Sequence, residues 1–166
     1  DILWSNWDCT LEPLPGGDYA LRMGFRFLKG LRENAWEKLE RARSDKVFRS
    51  VEDLVRRSGL GEDILEKIAE SGALEPLEKQ RRDAIWKVKG MARTPELPLD
   101  LREEEQEPDF DELSDFDTIA WDYRTTYHSP RGHPIAPIRS KLEAKGLPTA
   151  EDVRQSAHDS WINYAG

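Results

Sequence analysis

A short pattern that occurs twice constrains the fold of this 166-residue chain more than any other feature. The letters FLKGLRENAWEKL surround Gly30, and the letters RRSGLGEDILEKI surround Gly59. Each copy places Gly-Leu ahead of a helix-forming run, with an apolar residue eight or nine positions after the glycine. Glycine permits the backbone conformation that a tight turn between helices requires. The repeat therefore predicts two helical hairpins, 29 residues apart.

Four helices are expected in a compact unit across residues 25–90. Apolar residues recur at helical spacing around both turns, as at Leu31, Ala35 and Leu39. Serine N-caps and glycine stops mark the helix ends. The expected helices are one from Leu31 to about Arg43, one capped by Ser50 that stops at Ser58-Gly59, one from Gly61 to about Ser71, and one with Pro76 at its first position that stops at Gly90.

The other parts of the chain are expected to be less regular. Residues 1–19 resemble a domain tail followed by a Pro-Gly turn, with Tyr19–Phe25 as a candidate extended segment. Residues 91–113 hold three prolines and an acidic run, which is typical of a linker. Residues 114–166 should form a helical segment. Its expected features are a helix capped by Ser114 with Phe116, Ile119, Ala120 and Tyr123 inward, a short helix near Pro137–Lys145, and a capping box at Thr149 and Asp152. The expected fold class is mostly α.

The net charge of −8 argues against a nucleic-acid partner until its distribution is examined. Residues 1–20 carry −4, and residues 94–117 carry −10 with eleven acids and one base. Residues 21–93 carry +5, and residues 118–166 carry +1. The acidity is therefore concentrated in one short stretch, and the part that holds both hairpins is mildly basic.

Cysteine use and hydropathy indicate the compartment. Cys9 is the only cysteine, so a disulfide within the chain is excluded and a reducing compartment fits. No apolar run approaches the roughly 18 residues of a membrane span, so we expect a cytoplasmic protein that does not contact membranes. Because the chain starts at Asp1 without Met, we also expect it to be cut from a longer polypeptide.

The hairpins offer a chemistry suited to phosphate. A glycine turn leaves backbone amides uncovered, and the next helix adds unpaired N–H groups and the positive end of its dipole. Such contacts position DNA without reading its sequence. Turns of this kind also join helices in proteins that never bind DNA, so this alternative stays open. The candidate contacts are the backbone at Gly30, Leu31, Gly59, Leu60 and Gly61, with the cations Lys29, Arg32, Arg56 and Arg57.

Other chemistries have weaker support in the sequence. Asp109 and Asp111 resemble a metal-binding Asp-x-Asp pair, but they lie in the acidic, proline-containing stretch, so we interpret them as solvated linker. His128 and His133 lack a cysteine or enough acids for a metal site. Cys9 lacks a histidine at useful spacing, which favours a buried small residue. The six tryptophans are expected mainly in the core rather than as platforms for bases.

The order of several motifs resembles one family. WSNWDCTLEP is similar to the segment that leads out of the fingers region of error-prone C-family DNA polymerases, relatives of the bacterial replicative polymerase III α subunit. ALRMGFRFLKGL, FRSVEDLVRRSGL, IAESGALEPL and RRDAIWKVKG resemble, in order, that family's tandem helix-hairpin-helix region. DYRTTYHSPRGHPIAPIRSKL resembles the segment before its OB-fold domain, most clearly at residues 132–135. The resemblance covers nearly the whole chain except residues 91–118.

The resemblance implies a division into regions. Residues 1–19 would end a fingers region, and residues 20–90 would form a tandem helix-hairpin-helix domain. Residues 91–113 would be an acidic linker, and residues 114–166 would lead to an OB-fold domain that is absent here. Compared with the family's first hairpin, Arg32 replaces the second glycine and Trp36 fills a small position, whereas Gly59-Leu60-Gly61 keeps the full pattern.

The resemblance also implies a function and partners. The longer polypeptide would be a DNA-directed DNA polymerase used in translesion synthesis and damage-induced mutagenesis, with Mg²⁺ held by a palm domain outside this chain. This chain would be a non-catalytic monomer that holds duplex or primer–template DNA and needs no cofactor. The alternative is a scaffold on which residues 94–117 dock an accessory mutagenesis protein. A sliding clamp is a further expected partner, although TPELPLDL lacks the Gln and terminal aromatic of the family's clamp-binding peptide.

Overall fold

The computed structural model describes residues 1–93, 108 and 110–165. Within them a short two-stranded sheet is followed by helices, which confirms the mostly α class. Two 3₁₀ turns, at Phe25–Phe27 and Ala136–Ile138, precede helices. The strands and helices are β1 Thr10–Pro13, β2 Tyr19–Arg22, α1 Glu33–Asp45, α2 Val51–Ser58, α3 Glu62–Glu70, α4 Arg81–Arg93, α5 Asp115–Thr126, α6 Arg139–Glu143 and α7 Ala150–Arg154.

Residues 10–22 form a β-hairpin that closes with a Pro-Gly-Gly turn. β1 and β2 are antiparallel, with Leu11 opposite Leu21. The turn needs the positive φ of Gly16 and Gly17, 108° and 93°. β2 confirms the extended segment predicted from Tyr19, whereas the prediction of only a tail and a turn before it missed β1. The reason is that a four-residue strand with proline at its end carries a weak signal.

The core lies between α1, α2, α3 and α4, and the N-terminal segment contributes to it. Ile2 is fully buried, and its amide donates to the carbonyl of Ala73 at 2.8 Å. α3 packs along α4, and α2 contacts both α1 and α4. The most deeply buried aliphatic side chains are Ile2, Leu39, Val51, Leu54, Leu65, Ile68, Leu74 and Val88.

α4 differs at both ends from the helix predicted with Pro76 first and a stop at Gly90. Successive turns occupy residues 71–77, where the amides of Leu77 and Glu78 both donate to the carbonyl of Leu74. Leu74 is 1% exposed, so these turns place a side chain in the core before α4 begins. α4 then continues through Gly90 to Arg93, because one helical glycine costs only about 1 kcal/mol. The first three residues of the predicted linker, 91–93, therefore belong to α4.

α5 packs against the body of the four core helices. Its predicted N-cap is confirmed, since the Ser114 side chain accepts from the Asp117 amide. Ile119 is buried as predicted, but Phe116 is 41% exposed, so its predicted inward position is wrong. Phe116 lies in the first turn, ahead of the stretch of α5 that meets the core helices.

The helix predicted near Pro137–Lys145 is split into the second 3₁₀ turn and α6. The Thr149–Asp152 capping box starts α7 as predicted. Beyond α7, Trp161 is fully exposed. Trp4 is mostly exposed and Trp86 is partly exposed, whereas Trp36 is buried. Core packing was therefore wrong for these three tryptophans, because an aromatic beside apolar residues in sequence need not face them in space. In the described parts of the chain, no helix has the length and apolarity that a bilayer span needs.

Candidate nucleic-acid interface

The first hairpin turns sharply at Gly30. The 3₁₀ turn at Phe25–Phe27 precedes it, so the preceding helix is only three residues long. Gly30 has φ +78°, and the Leu31 amide donates to the carbonyl of Leu28 at 3.2 Å. Leu31 is 8% exposed and anchors the turn in the core, which leaves Arg32 as the exposed N-cap of α1. Leu31 thus contributes packing, and its side chain is not available to a ligand.

The second hairpin joins α2 to α3 through Gly59-Leu60-Gly61. Gly59 ends α2 in the left-handed region with φ +60°, the usual place of glycine after a helix. Gly61 is the N-cap of α3, with φ −71° and ψ 157°. Both glycines are exposed, and a Cβ at either would meet no atom within 4 Å. The backbone here is therefore open to a ligand.

The N-termini of α1 and α3 differ from those of three other helices. Ser50, Ser114 and Thr149 cap α2, α5 and α7 with side-chain oxygens. At α1 and α3 no side chain accepts a hydrogen bond from the first turn. These helices follow the two glycine turns, so their first amides are available to an external acceptor.

One open groove contains parts of both hairpins. Residues at the starts of α1 and α3 line it. Among the predicted contacts, Gly30 and Arg32 line it from the first hairpin, and Leu60 and Gly61 from the second. The structure thus brings together residues about 30 positions apart in sequence, which neither copy of the repeat could predict alone.

Two lysines that the sequence analysis did not select also line the groove. Lys38 and Lys67 each lie six residues after the N-cap of their helix, at equivalent positions of the repeat. A Cβ on Gly30 would lie 2.8 Å from Lys67 Nζ, so the second repeat's lysine covers the first repeat's glycine. The shared Glu-Lys pair in both copies is the sequence signal that could have identified them.

The groove carries a small positive charge. Its cations are Arg32, Lys38 and Lys67, and its acids are Glu62 and Asp63, which start α3. In the described parts of the chain the three cations form no ion pair, in contrast to Lys89, which pairs with Glu66 at 2.6 Å. The two acids stabilise the α3 dipole and oppose an approaching phosphate. We therefore expect any anion binding to be weak.

Lys29 is held by α5 rather than by the groove. Its amide donates to the Thr125 carbonyl at 2.9 Å, and its Nζ donates to the Tyr123 carbonyl at 3.1 Å. The Nζ also lies 3.3 Å from the centroid of the Tyr127 ring. Lys29 thus joins the first hairpin to the end of α5.

The two arginines of α2 have different environments. Arg56 is exposed and lies outside the groove lining. Arg57 donates to the carbonyls of Ala42 and Lys46 and to the Asp53 carboxylate. Burial acts to raise the pKa of Asp53, but hydrogen bonds from the Arg49 amide and the Arg57 guanidinium hold that pKa below its usual value. The position of Arg57 favours a structural role over a DNA contact.

The other predicted chemistries fall outside this groove. His133 Nδ1 accepts from the Ile135 amide at 3.2 Å within its turn. Among the described residues no three His, Cys, Asp or Glu side chains are grouped as a metal site. TPELPLDL, Asp109 and most of the acidic stretch at residues 94–117 lie outside the described residues, so clamp binding and accessory-protein docking there stay predictions.

Comparison with known proteins supplies the family. Residues 1–84 match the model of the helix-hairpin-helix motif. Over its whole length the chain is 34% identical to error-prone DNA polymerases of Alkalilimnicola ehrlichii and Pseudomonas savastanoi pv. phaseolicola. Over 98% of its length it is 36% identical to error-prone DNA polymerase 3 of Agrobacterium fabrum. The chain spans 16% of each of these relatives.

Proposed function

This chain belongs to the helix-hairpin-helix family and is a homologue of one segment of the error-prone DNA polymerases, and on that basis we propose that it binds the sugar-phosphate backbone of DNA without reading sequence. The observation that carries the proposal is the pair of helix N-termini without side-chain caps, those of α1 and α3, at a single groove. Each offers backbone amides and the positive end of a helix dipole.

The proposed contact follows one strand of duplex DNA. One phosphate would accept from amides after Gly30, and a neighbouring phosphate from amides at Gly61 and Glu62. Arg32, Lys38 and Lys67 would add attraction without a base contact. Because the proposed contacts are to phosphate, they would read no sequence, which suits an enzyme that moves along any template.

The proposal extends to the longer polypeptide. We infer that it is a DNA-directed DNA polymerase of the cytoplasm that acts in translesion synthesis. This region would be its non-catalytic holder for duplex or primer–template DNA, and the proposed binding involves no metal ion. Arg56 and the backbone at Gly59 are exposed and would contact the DNA from outside the groove.

A matched pair of substitutions at Gly61 tests the backbone contact. Gly61 has an ordinary φ and open space, so both Gly61→Asp and Gly61→Asn should cap α3 without strain. Gly59 is less suitable, because its positive φ would strain any replacement. Asp places a carboxylate where a phosphate should bind, whereas Asn is isosteric and neutral.

Fluorescence anisotropy with a labelled duplex at low salt measures the difference. We expect both variants to bind more weakly than the wild type, because either side chain occupies the uncapped start of α3. The Asp variant should bind about tenfold more weakly than the Asn variant, because only its carboxylate also repels the phosphate. Thermal unfolding should show both variants at least as stable as the wild type. Equal DNA affinity of the two variants would contradict the proposal.

A further inference from the structure

Tyr127 combines an unfavourable backbone conformation with an exposed ring. It ends α5 with φ +60°, in the left-handed region that glycine or asparagine usually occupies at this position. Among the described residues, Asp159 is the other non-glycine residue with positive φ. The Tyr127 residue is 75% exposed, so burial of its ring does not compensate for the strain. Strain of this kind is concentrated at functional sites.

The ring lies beside the first hairpin. The Lys29 Nζ is 3.3 Å from its centroid, and the next residue after Lys29 is Gly30, which lines the groove. Two further hydrogen bonds from Lys29, to the carbonyls of Thr125 and Tyr123, fix the end of α5 to this turn. The ring is thus held close to the path proposed for the DNA strand, with most of its surface open.

We propose that Tyr127 is a stacking platform for an unpaired nucleobase of the strand that passes the first hairpin. This inference rests on the proposed backbone binding. An aromatic face accepts any base, so stacking here adds affinity without adding sequence preference. The ammonium of Lys29 on the ring holds the platform and places a positive charge near the phosphate of the same nucleotide.

The test compares two DNAs and three variants of the 166-residue chain. One DNA is a blunt duplex, and the other is the same duplex with a short single-stranded thymine overhang. Tyr127→Gly removes the ring and relieves the positive φ, Tyr127→Phe keeps the ring, and Asp159→Gly relieves the same kind of strain elsewhere. Because Tyr127→Gly also uncovers the ammonium of Lys29, whose charge would then attract both DNAs more strongly, the measured quantity is the ratio of the two affinities.

We expect the wild type and the Phe and Asp159→Gly variants to prefer the overhang about fivefold or more, the gain of one stacked base. Tyr127→Gly should lose this preference while it unfolds at or above the wild-type temperature. A preference that survives in Tyr127→Gly, or that is absent from the wild type, would overturn the stacking platform.

The outcome for Gly61 separates the two proposals. If Gly61→Asp binds blunt duplex more weakly than Gly61→Asn but the overhang preference does not depend on Tyr127, only the stacking inference fails. If the wild type binds neither DNA at low salt, or the two Gly61 variants bind alike, the proposed backbone binding fails and the stacking inference with it.

Discussion

Arg56 and Arg57 are neighbours in the sequence, but only one has a free side chain. Sequence reasoning grouped them as phosphate-binding cations, because both precede the second hairpin. The guanidinium of Arg57 instead lies over the Phe48 ring, 5.0 Å from its centroid, and bonds two backbone carbonyls. Which direction a long side chain takes depends on partners from other elements, so the local pattern could not distinguish the two arginines.

The substitution Arg57→Gln should destabilise the fold and leave DNA binding unchanged. The shorter side chain loses the hydrogen bonds to the carbonyls of Ala42 and Lys46 and the contact with the Phe48 ring, which together should cost about 1–3 kcal/mol. Urea unfolding followed by tryptophan fluorescence measures this loss. Arg56→Gln is the matched control, and its stability should lie within about 0.5 kcal/mol of the wild type. Weaker DNA binding by Arg57→Gln at unchanged stability would instead support Arg57 as a DNA contact.

At the scale of elements, helix starts with a capping side chain were predictable and those set by tertiary contacts were not. The N-caps Ser50, Ser114 and Thr149 are confirmed, because a hydroxyl that accepts from the third helical amide acts locally. The start of α4 was predicted too early because the buried turns around Leu74 depend on packing from other helices. β1 depends on its pairing with β2, which hydropathy alone does not reveal.

A buried ion pair joins α5 to α4. Arg81 of α4 and Asp122 of α5 are 2.5 Å apart, with side chains 8% and 4% exposed. Ser129 donates its hydroxyl to the same carboxylate at 2.7 Å. Removal of one partner from such a pair strands the other charge in a buried site. This contact therefore ties the C-terminal segment to the four-helix body.

Asp122→Ala should lower the free energy of unfolding by about 3–5 kcal/mol and release α5. Hydrogen exchange should show loss of amide protection in α5 before α1 and α3 lose theirs. Asp115→Asn, on the exposed first turn of the same helix, is the control and should leave that protection unchanged. If α5 keeps its protection in Asp122→Ala, the ion pair is not what holds it.

At the scale of the whole molecule, the two hairpins were predictable individually, and their meeting was not. Each glycine turn follows from local sequence, and the repeat indicated a shared role. The two hairpins meet where Lys67 of α3 lies against Gly30 of the first hairpin, a contact between residues 37 positions apart. The predicted list of nine contacts therefore contained four groove residues and missed two equivalent lysines. The net charge of −8 misleads at this scale, since the groove itself is slightly positive.

The salt dependence of duplex affinity tests most directly whether both hairpins bind one backbone. Two to four phosphate contacts predict a log–log slope of about −2 to −4 for the wild type. The double variant Lys38→Gln, Lys67→Gln should reduce its magnitude by up to about 2, since each phosphate contact contributes about 0.9. The control is Lys79→Gln, Lys145→Gln, which removes exposed lysines outside the groove and should keep the wild-type slope. A wild-type slope near zero, or an equal slope in the two double variants, would contradict backbone binding in the groove.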